Sequence, residues 1–160
     1  MKIIKAQKKN LKEMAKIASE CFSGLKEKKD AIKWITCNFS GFPRMQYFIA
    51  TEDKKIAGYV LWVEKGGFRK ESVWELEQIA VKKPFQGNGI GAELVEKSFL
   101  EIKKHIEKRG SSLKLVEVST GVQNQAQNLY KKTLKAEKEC VIKDFFRDDE
   151  VIMIARYGKK

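Results

Sequence analysis

Histidine occurs once in this chain of 160 residues, proline twice and cysteine three times. A zinc site needs about four nitrogen or sulfur ligands at close spacing. Cys21, Cys37 and Cys140 are scattered, form no CxxC pair and are odd in number, so neither a metal site nor a disulfide framework is expected. They read as buried or idle thiols in a reducing compartment. His105 lies in the charged stretch "EIKKHIEKRG" and is expected to be a solvated surface residue, which argues against a Cys–His nucleophile pair. Arginine is also scarce: of 33 basic residues only Arg44, Arg69, Arg109, Arg147 and Arg156 carry a guanidinium. Nucleic-acid binders often cluster arginine for bidentate phosphate or base contacts. Here lysine is spread along the chain among glutamates, so a nucleic-acid partner is not expected. The net charge of +12 nevertheless helps to collect a polyanionic ligand. No apolar run approaches the roughly 18 residues that a membrane span needs. "MKIIKAQKKNLKEM" lacks an apolar signal segment, so a cytoplasmic protein of one domain over residues 1–160 is expected.

Hydrophobic residues make up 42% of the chain, enough for a packed core. "KIIKA" at 2–6 predicts a first strand. Asn10, with Glu13 three positions on, has a capping-box pattern before a helix whose apolar series is Leu11, Met14, Ile17, Ala18, Cys21 and Phe22. A second helix is predicted over 30–39, ended by "SGFPR". Segments 46–50, 56–64 and 72–81 alternate with polar turns and predict an antiparallel meander. A helix from Gly89 to Arg109 follows, then a strand at 113–118, a helix at 124–135 and a closing hairpin at 140–146 and 150–157. The strand–helix–strand segment 72–118 forms a right-handed parallel crossover. The expected fold is therefore α/β in the α+β sense: a mixed, mostly antiparallel sheet with a central parallel pair and helices on both faces.

The densest glycine cluster is "QGNGIG" at 86–91, between a predicted strand and a predicted helix. A helix N-terminus offers unpaired N–H groups and a partial positive charge, and glycines let an anion approach without meeting a Cβ. The amides from Gly87 to Ala92 can wrap a pyrophosphate, with Lys82 and Lys83 adding charge and Pro84 stiffening the entry. A Walker A loop is absent, and Gly87, Gly89 and Gly91 miss the spacing of a dinucleotide fingerprint. The pattern [QR]-x-x-G-x-[GA] is met by Gln86, Gly89 and Gly91. Taken alone, that string also suits a tight turn packed on a sheet.

The longer run "LEQIAVKKPFQGNGIGAELVEK" resembles motif A of the GCN5-related N-acetyltransferases, and the element order resembles that family's fold over nearly the whole chain. The resemblance implies acetyl-CoA as cosubstrate, no metal, and transfer of the acetyl group to a primary amine acceptor. It implies that the parallel strands splay, that Ile79, Ala80 and Val81 pair with the pantetheine arm, and that Gln86, Gly87, Asn88, Gly89, Ile90, Gly91 and Ala92 hold the pyrophosphate. Val81 would keep its carbonyl and N–H for the cofactor. "QNQAQNLYKK" resembles motif B, with Ala126, Leu129 and Tyr130 in register. Two departures stand out. Gln123 takes the family's asparagine position, with Asn124 one residue later, and either amide can reach the cofactor. Leu134 and Lys135 replace the usual Gly-Phe, which leaves the end of that helix open.

Acetyl transfer to an amine needs a base, an oxyanion donor and an acid for the thiolate. Tyr130 is the expected acid, since a phenol with a pKa of about 10 stays protonated at neutral pH. Alternation puts Glu75, Glu77, Ile79 and Val81 on one side of their strand. Resemblance ranks Glu77 first as base, then Glu117 on the neighbouring strand, then Glu75, with a water chain as the remaining alternative. Each glutamate is equally a type of residue that faces solvent on strands. Trp34, Trp62, Trp74 and Phe68 are candidates for an acceptor groove or for core packing. With no nucleophile in either motif, direct attack in a ternary complex is expected. A homodimer fits the resemblance without being specified by the residues. The rival readings are a non-catalytic acyl-CoA sensor and, on charge alone, a nucleic-acid-associated protein.

Overall fold

The computed structural model describes residues 1–53 and 55–158. Its principal elements are β1 (Lys2–Lys5), α1 (Leu11–Cys21), α2 (Lys28–Ser40), β2 (Met45–Glu52), β3 (Lys55–Lys65), β4 (Glu71–Val81), α3 (Ile90–Lys108), β5 (Ser112–Gly121), α4 (Ala126–Leu134), β6 (Glu137–Ile142) and β7 (Glu150–Arg156). This is the predicted order. Among the described residues seven strands form a mostly antiparallel sheet ordered β1-β2-β3-β4-β5-β7-β6, with β4 and β5 parallel. Among the described residues no helix is long and apolar enough to cross a membrane.

The chain divides into two compact units, the first made of Met1–Trp62 and Gln78–Ser98, the second of Val63–Glu77 and Phe99 onward. Strands β3 and β4 and helix α3 run through both. In the first unit, β1 pairs with β2 from Lys2 opposite Thr51 to Lys5 opposite Phe48. Helix α1 buries Leu11, Met14, Ala15, Ile17 and Ala18, the face its apolar spacing predicts. Ile56 through Trp62 are all buried, which is why this stretch of β3 is apolar without alternation. Buried polar tips there are satisfied in pairs: Tyr59 Oη donates to Gln78 Oε1 at 3.2 Å, and Trp62 Nε1 donates to Ser98 Oγ at 2.8 Å.

The second unit contains a sealed charge. Glu64 is 1% exposed, and its Oε2 accepts from Arg109 Nη1 at 2.7 Å. Ser72 Oγ donates to Glu64 Oε1 at 2.7 Å while accepting from Trp74 Nε1 at 2.7 Å. The Glu64 hydrogen bond raises the Arg109 pKa above its ordinary value, against the opposing effect of desolvation. Trp62 and Trp74 are fully buried and serve the core, whereas Trp34 and Phe68 lie exposed.

Two expectations are corrected and one is narrowed. The Asn10–Glu13 capping box does not form: a 3-10 turn at Lys8–Asn10 leads into α1, and Asn10 Oδ1 accepts instead from the Gln7 N–H at 2.8 Å. Cys21, Cys37 and Cys140 are free and exposed, which removes the buried alternative and leaves the idle one. His105 is half-buried, its ring edge-on to Trp74 at 6.1 Å, because the helix turn that carries it packs on the sheet.

Arg109→Met removes charge-assisted bonds from a carboxylate closed off from water. Urea denaturation should show a loss of about 3 kcal/mol. Pairing it with Glu64→Gln should cost less than the two single losses added together.

Candidate active site

The parallel ladder between β4 and β5 has its last registered pair at Glu75 opposite Glu117. β4 continues to Val81, and β5 continues to Gly121 while pairing with β7 on its other side. Beyond Glu75 the β4 backbone is followed closely by β3. A Cβ on Gly58 would come within 2.5 Å of the Ala80 carbonyl oxygen and 3.1 Å of Val81 Cα, so glycine is required by proximity there. The Lys82 N–H donates to the Ala57 carbonyl at 2.9 Å and ends the pairing.

Val81 differs from expectation. Its carbonyl accepts from Gln86 Nε2 at 2.7 Å, and the Cys21 thiol lies 3.8 Å away. Gln86 thus folds back to tie the loop to the strand instead of extending outward. The Cys21 thiol is held above its usual pKa by desolvation, reinforced by Glu20 and opposed by Lys83. A raised thiol is a poor nucleophile at neutral pH. Glu13, freed from the capping role, pairs with Lys82 and joins α1 to the turn after β4.

A 3-10 turn at Lys83–Phe85, with Pro84 in its first positions, carries the chain to the glycines. Gly87 and Gly89 have φ of +80° and +77°, the left-handed region that a Cβ disfavours. Nothing lies within 4 Å of a Cβ built on either. Conformation therefore demands glycine here, while the space in front of the loop is open. Helix α3 begins at Ile90, and its first intrahelical bond runs from the Glu93 N–H to the Gly89 carbonyl at 3.1 Å. The amides of Ile90, Gly91 and Ala92 precede that bond, where helix geometry provides no acceptor. Asn88 is exposed between the two left-handed glycines.

In the second unit, Glu75, Glu77 and Glu117 are half-buried. Glu75 and Glu117 are register neighbours, so they share a face, and Glu77 follows on the same side of β4. Lys65 Nζ, at the end of β3, lies 2.8 Å from Glu75 Oε2. The Glu75 hydrogen bond raises the Lys65 pKa despite partial desolvation, and Glu75, Glu117 and Glu77 add electrostatic support. One ammonium therefore sits in the field of all three sequence-predicted carboxylates.

Tyr130 is 5% exposed, and burial pushes its phenol up to about 12. Helix α4 is pinned to the end of β5 by Gln127 Nε2, which donates to the carbonyls of Gly121 at 3.3 Å and Val122 at 2.8 Å. Asn124 Oδ1 accepts from the Ala126 N–H at 2.9 Å, a local turn that starts the helix at Ala126 instead of 124. Gln123 and Asn124 are exposed. The helix ends at Leu134 with Lys135 left-handed at φ 60°, the place where a glycine would be at ease. Sequence reasoning missed Gly58, Gln127, Lys65 and the Glu13–Lys82 pair. Only Gly58, a glycine inside a strand pattern, carried a local signal.

A family profile described as the acetyltransferase (GNAT) family matches residues 11–135. An uncharacterized N-acetyltransferase of Methanocaldococcus jannaschii is 30% identical over 105 residues, 63% of this chain and 43% of the relative, so the match spans less than half of that protein. The ribosomal-protein-S18-alanine N-acetyltransferase of Escherichia coli superposes with a TM-score of 0.78 at 17% identity, covering 99% of this chain and 95% of that one. An acetyltransferase of the GNAT family from Streptococcus pneumoniae gives 0.73 at 19% identity, over 98% and 99% of the two chains. A chain of the NatC complex, solved with Gag peptide and CoA, gives 0.73 at 14%, over 99% and 100%. At these identities the three structures establish a shared fold.

Lys135→Gly should stabilise the protein by about 1 kcal/mol in thermal or urea unfolding, since the left-handed position then carries no Cβ penalty. Tyr130 ionises near 10 when unfolded and at about 12 when folded. Its contribution is complete below the unfolded value and is lost as pH rises through that interval. Ultraviolet titration should show tyrosine ionising at about 12, where burial holds both Tyr130 and Tyr157, and Tyr130→Phe should halve that step and lessen the alkaline fall in stability.

Proposed function

Because the chain belongs to the acetyltransferase (GNAT) family, we propose that it transfers an acetyl group from acetyl-CoA directly to a primary amine, of a small molecule or of a peptide. The observation that carries this reading is the end of the β4–β5 ladder at Glu75 and Glu117, beyond which β4 leads to a glycine loop opening on a helix N-terminus. The open space at Gly87 and Gly89 suits a group that needs main-chain donors close at hand.

When bound, acetyl-CoA supplies an activated acetyl thioester. Ile79, Ala80 and Val81 would hold its amide-bearing arm, Val81 without its carbonyl, which Gln86 occupies, and with Gly58 keeping β3 tight against the opposite side of that strand. Gln86, Gly87, Asn88, Gly89, Ile90, Gly91 and Ala92 would hold the diphosphate, with Gln86 acting through its bond to Val81 and the later residues through their amides. Gln123 and Asn124 are the exposed side chains at the start of α4 assigned to the cofactor.

Glu77 is the first choice for the base that takes the ammonium proton, with Glu117 second. Glu75, bonded to Lys65, orders the cluster. Tyr130 donates a proton to the departing thiolate: a phenol held at about 12 remains a donor at every working pH. The raised Cys21 thiol favours direct attack over a covalent relay.

Calorimetry should detect CoA binding that Gly89→Val abolishes. Tyr130→Phe should lower kcat about 100-fold with CoA affinity retained. Glu77→Gln should slow a lysine-type amine, with a pKa near 10.4, more than an α-amine near 7.7–8.0, which needs less help to lose its proton. Tight CoA binding without turnover on any amine of a broad panel would mark a non-catalytic sensor instead. No uptake at millimolar CoA would end both readings.

A further inference from the structure

We infer that Lys65 determines acceptor specificity, occupying with its own ammonium the seat that a second cationic group of the acceptor would take, so that the chain selects amines carrying one positive charge. This rests on the proposed acetyl transfer.

The residues belong to one compact unit. Lys65 closes β3, and its Nζ lies 2.8 Å from Glu75 Oε2. Glu75 is the last β4 residue in register with β5, opposite Glu117, so the ion pair stands where the parallel ladder stops. Glu77 projects from the same side of β4 two residues further along. The Glu75 side chain is 15% exposed and the Lys65 side chain 41%, so the acid is the more recessed partner of the pair.

A carboxylate cluster at the end of a sheet would ordinarily attract amines of any charge. Here Glu75, in register at the end of the ladder, is already bonded to an internal ammonium of the same chemistry as an acceptor group. A second ammonium of a diamine entering this face meets the Lys65 charge at close range and finds Glu75 engaged. A single ammonium needs no such place. The chain's net charge of +12 acts in the same direction at long range.

Lys65→Met keeps the aliphatic stem and removes the charge, while Lys65→Arg keeps the charge. Acetylation of putrescine and of n-butylamine is compared in the wild type and both variants, alongside calorimetric binding of each amine. In Lys65→Met, kcat/KM for putrescine relative to butylamine should rise about fivefold, the range of a partly exposed ion pair, and putrescine should bind more tightly. Lys65→Arg should keep the wild-type ratio. A structural role alone would lower Tm in Lys65→Met and leave the ratio unmoved, which overturns the inference. Should the wild type acetylate no amine, the proposed transferase fails separately, and the binding arm still decides: putrescine held no more tightly by Lys65→Met overturns the role of Lys65.

Discussion

The whole arrangement depends on a main-chain ladder that stops while its strands go on. Peptide groups left open at a strand edge are costly unless something pairs with them. β4 meets that demand on one side by pressing against β3 so closely that only glycine fits at position 58. On the other side the β5 register ends at Glu75. The chain then spends its side chains on the exit of β4: Gln86 caps the Val81 carbonyl, and Glu13 holds Lys82. The loop after this exit takes its shape from two left-handed residues and from the start of a 19-residue helix.

Chemistry is sorted by burial. Tyr130 is sealed and stays neutral, which suits a proton donor. Glu75, Glu77 and Glu117 are half-covered and lie in the field of one ammonium. Glu64, sealed more completely than any of them, is matched by Arg109 and Ser72 and belongs to the core. Residue type would not separate these four carboxylates, but exposure and partner do.

Local signals carried most of the architecture. Periodicity placed every strand and the α1, α2, α3 and α4 helices to within a few residues. The glycine spacing located the turn into α3, and helix–strand alternation gave the parallel crossover between β4 and β5. Contacts between residues distant in sequence were not legible. Asn10 and Glu13 looked like a local cap, yet Glu13 serves Lys82, 69 residues away. His105 sits among charges in the sequence but beside Trp74 in space. Of the two readings open for the cysteines, buried or idle, exposure removes the first. Among the site residues, Lys65 was invisible because only the pairing of β3 with β4 brings it to Glu75.

The two left-handed glycines also bear on how this stretch can change over time. Gly87 and Gly89 are locked by backbone shape, and Ile90 is fixed by burial beneath the helix start. Asn88 alone, exposed and bounded by them, has neither constraint on its side chain. Divergence among descendants of this chain would accordingly concentrate at that single position of the loop, with the flanking glycines nearly immovable.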